Sequence, residues 1–87
     1  MSAAQHDQIL AMVSHLPHML AFTLMNHVQA CANFDPDFVL SYAGSSLRDC
    51  TRIAASSPEM WRDICLANRE KLLGELDAYQ GALTDLR

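Results

Sequence analysis

The sequence of 87 residues predicts an all-α fold in a single domain, residues 1–87. Apolar residues recur every three or four positions over long stretches, which is the period of an amphipathic helix. Strands are not expected, because no stretch alternates apolar and polar residues and no Asn-Gly pair marks a hairpin. Pro36 and Pro58 fall between the periodic stretches. The chain is therefore predicted to form one long helix followed by three or four shorter ones.

The first helix is predicted from Ala3 to about Ala32 and contains Pro17. A proline inside a helix removes a backbone hydrogen bond and costs about 3 kcal/mol, so we expect a disturbance there. A helix of about 30 residues is a rod roughly 45 Å long, whereas a compact chain of this size is about 30 Å across. Either the helix bends sharply or a second copy covers its apolar surface. Its many Leu, Met and Ala residues favour a two-fold homodimer.

The later helices are predicted from their start signals. Ser, Asp and Asn side chains accept hydrogen bonds from the first free amides of a helix, and proline suits the first helical position. The predicted elements are a helix from Pro36 through Tyr42 with cap Asp35 after a break at Asn33 and Phe34, a helix through Ala55 with cap Ser45 or Ser46, a helix beginning at Pro58 with cap Ser57, and a helix from Arg69 to about Leu86 with cap Asn68.

The composition excludes several classes of partner. Six Lys and Arg against ten Asp and Glu give a net charge of −4 without a basic run, so nucleic acid is not expected to bind. Polar residues interrupt the apolar stretches short of the ~20 residues of a membrane span, and the first residues lack the basic region followed by an apolar one that is typical of a signal peptide. The cysteines, Cys31, Cys50 and Cys65, are odd in number and lack a C-x-x-C pair. We expect reduced thiols in a cytoplasmic chain, without membrane or structural zinc.

Polar residues cluster beside Pro17. Ser14 and His18 are four residues apart, and His15 and His18 are three apart, so on a helix they share one side. The histidines could cap carbonyls at a disturbed turn or lie at the surface, or they could bind a polar ligand together with the serine. A metal site is not expected, because a third ligand and the general-base Glu of the zinc protease motif are lacking.

Two further positions are candidates. Arg48 and Arg52 are four residues apart, and Asp49 can pair with one of them, which usually gives a surface ion pair of small energy. Arg52 also has apolar neighbours, and its planar fork of donors matches a carboxylate. Trp61 is the only tryptophan and is expected to anchor the core or a dimer interface.

Five motifs follow one another along the chain. They are His6-Asp7, Ser14-His15-Leu16-Pro17-His18, Arg48-Asp49-Cys50-Thr51-Arg52-Ile53-Ala54, Ser57-Pro58-Glu59-Met60-Trp61 and Leu66-Ala67-Asn68-Arg69. In their order and spacing, these motifs resemble the C-terminal helical dimerisation domain of prephenate or arogenate dehydrogenase, from Gln5 to the end of the chain. The resemblance implies an intertwined helical dimer of the 6-phosphogluconate dehydrogenase C-terminal-like type.

The resemblance also implies the site. Ser14, His15 and His18 would line the substrate pocket, Arg52 would bind a substrate carboxylate, and Trp61 would lie at the subunit interface near the site. The substrate would be prephenate or arogenate, with tyrosine as a candidate inhibitor. In that family a Rossmann domain carries the catalytic histidine and binds NAD or NADP. This sequence has no G-x-G-x-x-G motif. We therefore expect no catalytic or cofactor-binding residue in it and no activity from it alone.

Two functions from different classes remain open. The chain is either the helical part of an oxidoreductase of tyrosine biosynthesis or a stand-alone dimeric module that binds an aromatic acid without catalysis. A structural helical adaptor would leave Pro17 and the ordered motifs unexplained. We expect the first, because the length fits the helical half of such an enzyme.

Overall fold

The computed structural model describes residues 1–31 and 35–87, and no strand occurs within those ranges. In chain order the elements are α1 (Ala3–Leu10), a π-helical turn (Ala11–His15), α2 (Leu16–Cys31), α3 (Pro36–Leu40), α4 (Ser45–Ala54), α5 (Pro58–Ala67) and α6 (Arg69–Leu86). The predicted all-α class is confirmed. The long first helix is also confirmed as far as Cys31, whereas its predicted end near Ala32 and the break at Asn33 and Phe34 lie outside the described residues.

The first helix begins with a reciprocal cap. The amide of Gln5 donates to Ser2 Oγ at 3.1 Å, and the amide of Ser2 donates to Gln5 Oε1 at 3.0 Å. A serine followed three residues later by glutamine is the sequence pattern of this capping box. It satisfies two backbone donors at the helix start and explains why the helix begins at Ala3.

Two of the predicted caps are confirmed. Asp35 Oδ1 accepts a hydrogen bond from the amide of Asp37 at 3.0 Å, although α3 ends before the predicted Tyr42. Ser57 Oγ accepts from the amide of Met60 at 3.2 Å, with Pro58 at the first position of α5. In both cases the cap and the following proline lie side by side in the sequence, so the start signal is local.

The other two predicted caps need correction. Helix α4 has Gly44 at its N-cap position, without a side-chain hydrogen bond, and Ser45 is already helical. The predicted cap by Ser45 or Ser46 is therefore wrong, because glycine is itself accepted at the N-cap and fixes the start one residue earlier. Asn68 occupies the N-cap position of α6, but its side chain does not cap the helix.

The disturbance predicted at Pro17 takes the form of a π-helical turn. The amide of Leu16 donates to the carbonyl of Ala11, five residues back instead of four. A π turn widens the helix locally, and such turns are common at functional sites. Pro17, which lacks an amide hydrogen, lies two residues after the end of this turn, in the first turn of α2, and the long helix continues past it.

The chain divides into two compact units. Unit 1 comprises Met1–Pro17 and Ser57–Arg87, and unit 2 comprises His18–Ser56. Within unit 1, α1 and the π turn contact α6, and α5 contacts α6. The buried side chains of unit 1 are Ala11, His15, Leu16 and Leu72, and that of unit 2 is Ala21, among the residues with described burial. The expectation of a single domain stays a prediction.

Much of the first helix is both apolar and exposed. Between Ala3 and Ala30 its most apolar window of 18 residues has a mean hydropathy of 1.3, and only 17% of that window is buried. By length and composition alone this helix could cross a membrane, so the prediction that no stretch is long enough was wrong on this criterion. An apolar helix that is covered by another protein meets the same criterion. Its exposed large apolar side chains are Ile9, Met12, Val13 and Leu24.

Candidate functional site

His15 is the buried polar residue of unit 1. It lies on the π turn and only 9% of its surface is exposed. Its Nδ1 atom is 3.2 Å from Nδ2 of Asn68, at the junction of α5 and α6. The same amide nitrogen donates to the backbone carbonyl of Asp7 at 2.8 Å. Asn68 therefore ties the junction of α5 and α6 to α1 and to the π turn through two hydrogen bonds.

Trp61 stands beside the same histidine. The two ring centroids are 6.1 Å apart with an angle of 77° between the planes, an edge-to-face arrangement that aromatic rings favour. The amide of Trp61 donates to the carbonyl of Ser57 at 3.2 Å, so the cap of α5 also places the tryptophan on its first turn. The structure thus brings together two of the residues that the sequence singled out, His15 and Trp61.

Ser14 and Asp7 complete the polar surroundings in unit 1. Ser14 precedes His15 on the π turn and is half-buried. The carboxylate of Asp7 lies 3.4 Å from Nδ1 of His6, and both side chains are exposed. Asp7 contributes its backbone carbonyl, not its carboxylate, to the surroundings of His15.

His18 belongs to unit 2 and has a different environment. It is half-buried, and its ring centroid lies 5.1 Å from that of Phe22 at a tilt of 60°. Burial lowers the pKa of His18 below its ordinary value, and a hydrogen bond to the backbone of Ile53 opposes this shift more weakly. The neutral imidazole is favoured, because removing a charged ring from water costs free energy.

Arg52 is exposed on α4. Its Nη2 atom lies 3.6 Å from Oδ1 of Asp49, three residues earlier, and 73% of the arginine side chain is exposed. The predicted pairing of Asp49 with one of the two arginines is therefore found with Arg52. A surface ion pair of this kind contributes about 0–1 kcal/mol and holds the guanidinium only weakly. Arg52 keeps donors available for another anionic group.

Sequence reasoning missed one residue of this arrangement. Asn68 was interpreted only as a helix cap, whereas its side chain reaches residues 61 and 53 positions away in the sequence. No local pattern reveals such a contact, because a cap is read from the four residues that follow it. The one sequence feature that pointed to a wider role for Asn68 is its position within the Leu66-Ala67-Asn68-Arg69 motif.

The described residues do not form a metal or dinucleotide site. Within that part of the chain, no group of three or more His, Cys, Asp or Glu side chains could hold a metal ion. A dinucleotide is held where a strand leads through a glycine-rich turn into a helix. Strands do not occur in residues 1–31 and 35–87, and Gly44, Gly74 and Gly81 are far apart without positive φ. These residues therefore do not fit NAD or NADP.

Comparison with known proteins identifies the fold. Residues 2–87 match the family model "Prephenate dehydrogenase, dimerization domain". The chain is 42% identical over its full length to a cyclohexadienyl dehydrogenase of Zymomonas mobilis and 39% identical to a prephenate dehydrogenase of Bacillus subtilis, and it covers 30% and 23% of those proteins.

Solved structures agree with this match. The crystal structure of prephenate dehydrogenase from A. aeolicus in complex with hydroxyphenyl propionate and NAD+ superposes on 99% of the chain with a TM-score of 0.85 and 38% identity. A crystal structure of Synechocystis arogenate dehydrogenase superposes on 99% with a TM-score of 0.79 and 33% identity. The chain covers 30% and 31% of those two structures.

The fold and the matched motifs define a helical domain of the dehydrogenase class. The chain belongs to the prephenate dehydrogenase dimerisation-domain family. It spans less than a third of the length of each of these relatives. The resemblance inferred from the sequence motifs is therefore confirmed at the level of the family.

Proposed function

We propose that the chain is the dimerisation and substrate-binding domain of an oxidoreductase that oxidatively decarboxylates prephenate or arogenate in tyrosine biosynthesis. The observation that carries this proposal is the family match over residues 2–87, which includes every motif singled out in the sequence. With prephenate, the reaction converts prephenate and NAD+ to 4-hydroxyphenylpyruvate, CO2 and NADH. The chain contributes binding and assembly to this reaction.

Arg52 is the proposed partner of a substrate carboxylate. The exposed guanidinium has only a weak tie to Asp49, so a planar carboxylate can take up its donors. Ser14, His15 and His18 are proposed to line the pocket for the same substrate. Their support is the position of Ser14 and His15 on the π turn, together with the environments of the two histidines.

The cofactor is proposed to bind to another part of the enzyme. The A. aeolicus relative was crystallised with NAD+, whereas the residues described in this chain do not fit a dinucleotide. NAD or NADP would accept the hydride there, beside the catalytic histidine that the family resemblance implies. No residue of this chain is assigned a catalytic role, and the isolated chain is expected to be inactive.

We further propose that the chain forms a homodimer through the first helix. The large apolar side chains exposed on that helix, Ile9, Met12, Val13 and Leu24, favour burial against a second copy. The family name itself describes a dimerisation domain. Trp61 is half-buried, and we place it at the edge of this interface, near the substrate site.

The proposal includes a cytoplasmic location and tyrosine as a candidate inhibitor. Cys50 and Cys65 are free and half-buried, which suits a reducing compartment. Burial raises the pKa of the Cys65 thiol and so keeps it in its less reactive form. Tyrosine shares with prephenate and arogenate a six-membered ring with a para hydroxyl and a side-chain carboxylate, which are the groups that the proposed pocket would recognise.

The test is an assay of the enzyme that contains this domain. We expect reduction of NAD+ or NADP+ that depends on prephenate or arogenate, and comparison of the four combinations identifies substrate and cofactor. Calorimetry of the 87-residue chain with prephenate and with tyrosine distinguishes this function from that of a stand-alone binding module. Binding of tyrosine by the chain, with no dehydrogenase activity in any combination, would favour a non-catalytic module that binds aromatic acids.

A further inference from the structure

We propose that Asn68 is a positioning residue that fixes the tautomer of His15, so that this imidazole meets a substrate as a hydrogen-bond donor at Nε2. The part that concerns substrate rests on the proposed function. The part that concerns the tautomer rests only on contacts within unit 1.

The hydrogen-bond donors around Asn68 can be assigned from its two partners. Its Nδ2 atom lies 2.8 Å from the carbonyl oxygen of Asp7 and 3.2 Å from Nδ1 of His15. A carbonyl oxygen can only accept, so the amide must turn its NH2 group toward Asp7, since the opposite orientation would set two acceptor oxygens against each other. The second hydrogen of the NH2 group then serves Nδ1. A neutral imidazole that accepts at Nδ1 carries its proton at Nε2.

The surroundings hold this arrangement in place. The backbone of Asn68 joins two helices, because its amide donates to the carbonyl of Ile64 at 3.2 Å and its carbonyl accepts from the amide of Leu72 at 3.0 Å. His15 is buried, so water competes little for Nδ1. The edge contact with Trp61 further restricts the ring.

The tautomer decides which ligand groups His15 can recognise. A protonated Nε2 donates to a carboxylate or keto oxygen, and it cannot accept from an ammonium group or a hydroxyl proton. Asn68 thereby selects for an acceptor oxygen at that position of the substrate without touching the substrate itself. This is a positioning role, exerted through His15.

Nitrogen NMR of the imidazole rings tests the proposal in the 87-residue chain. The spectra are recorded without substrate at about pH 8, where an ordinary imidazole with a pKa near 6.5 is neutral. His15 is assigned by comparison with His15→Gln. We expect Nε2 of His15 to be protonated and Nδ1 to be unprotonated. In Asn68→Asp the carboxylate can only accept, so we expect the proton to move to Nδ1.

A matched control separates the tautomer effect from the change in charge. Asn26 is exposed on α2, and Asn26→Asp adds the same charge without altering the partner of His15. We expect this variant to retain the protonated Nε2. A protonated Nδ1 in the unaltered chain, or an unchanged tautomer in folded Asn68→Asp, would overturn the proposal. If circular dichroism shows that Asn68→Asp is unfolded, the spectrum of the unaltered chain alone tests the proposal, because it shows which nitrogen of His15 carries the proton.

Kinetics of the enzyme tests the consequence for substrate. We expect Asn68→Asp to raise KM about tenfold, because a hydrogen bond to a charged ligand group is lost, and Asn26→Asp to leave KM unchanged. An unchanged KM in the presence of a reversed tautomer would overturn the role of the tautomer in binding. If His15→Ala also leaves KM unchanged, His15 does not bind the substrate and the proposed function of the pocket is wrong. The pairing of Asn68 with His15 is not contradicted by that result.

Discussion

The surroundings of His15 and of Arg52 differ in how firmly each side chain is held. His15 is buried, is hydrogen-bonded to Asn68 and stands edge-on to Trp61. Arg52 is largely exposed, and its ion pair with Asp49 joins neighbouring turns of one helix. The difference suits the roles proposed for the two groups. An imidazole must present a defined nitrogen to be selective, whereas a guanidinium offers donors in several directions and needs only to stay accessible.

This contrast predicts different consequences for substitution in the two regions. Changes near His15 should disturb folding as well as binding, because its neighbours belong to the packed part of unit 1. Changes at Arg52 should affect binding while leaving stability almost intact.

Leu72→Ala tests the packing of unit 1. Leu72 is 5% exposed on α6, the helix that contacts the π turn carrying His15. We expect the free energy of unfolding to fall by about 2–5 kcal/mol, as for other buried leucines. Leu86→Ala is the control on the same helix, since Leu86 is 83% exposed and should contribute little. Denaturation by urea measures both, and equal effects at the two sites would contradict the assigned core.

Arg52→Ala tests the exposed surroundings of Arg52. Losing charge-assisted hydrogen bonds of about 2–3 kcal/mol should raise KM by roughly 30- to 150-fold in the enzyme, with stability changed by less than about 1 kcal/mol. Arg48, exposed one turn earlier on α4, provides the control variant Arg48→Ala, for which we expect little change. Steady-state kinetics provides the measurement. A KM that Arg52→Ala leaves unchanged would remove the carboxylate role.

A double-mutant cycle between His15 and Trp61 measures the contact that holds the imidazole. We expect a coupling free energy of about 0.5–1.5 kcal/mol between His15→Ala and Trp61→Leu, the usual range for edge-to-face aromatic pairs. Urea denaturation followed by circular dichroism serves all four proteins, since Trp61 is the only tryptophan available for fluorescence. Additive effects of the two substitutions would show that the ring contact contributes nothing of its own.

His18 should make stability depend on pH. Because burial lowers its pKa, the folded chain binds fewer protons than the unfolded chain at and below pH 6.5, the ordinary value. The free energy of unfolding should therefore fall as the pH is lowered from about 6.5 through the folded-state pKa, and His18→Gln should flatten this dependence. Urea midpoints measured between about pH 7.5 and pH 5 provide the comparison. If stability depends on pH as steeply in His18→Gln as in the unaltered chain, groups other than His18 cause the dependence.

The fold was predictable where the signals are local. Asp35 with Pro36 and Ser57 with Pro58 mark two helix starts because cap and first residue are adjacent. The start of α4 was misplaced, because a serine inside the first turn looks like a cap when Gly44 itself can take that position. Burial along the first helix was not predictable from the chain alone, because apolar residues at helical spacing look the same in the sequence whether they are buried, as Leu16 is, or exposed, as Val13 is.

The candidate site was predictable only in part. The spacing around Pro17 marked Ser14, His15 and His18, but not the π turn, because either a kink or a wider turn can accommodate a proline. Asn68 could not be assigned, because its partners come from a distant part of the chain. His15 and His18 looked alike in the sequence. The structure distinguishes them by their neighbours, Asn68 and Trp61 for His15, and Phe22 for His18.

Sedimentation equilibrium of the 87-residue chain at micromolar concentration tests most directly whether it is a dimerisation domain. The monomer mass is 9.7 kDa, so a homodimer that covers the exposed apolar side chains of the first helix should sediment at about 19 kDa. We expect that mass, and we expect Leu24→Asp on the exposed face of α2 to reduce it. A mass of about 10 kDa for the unaltered chain would contradict the proposed dimer.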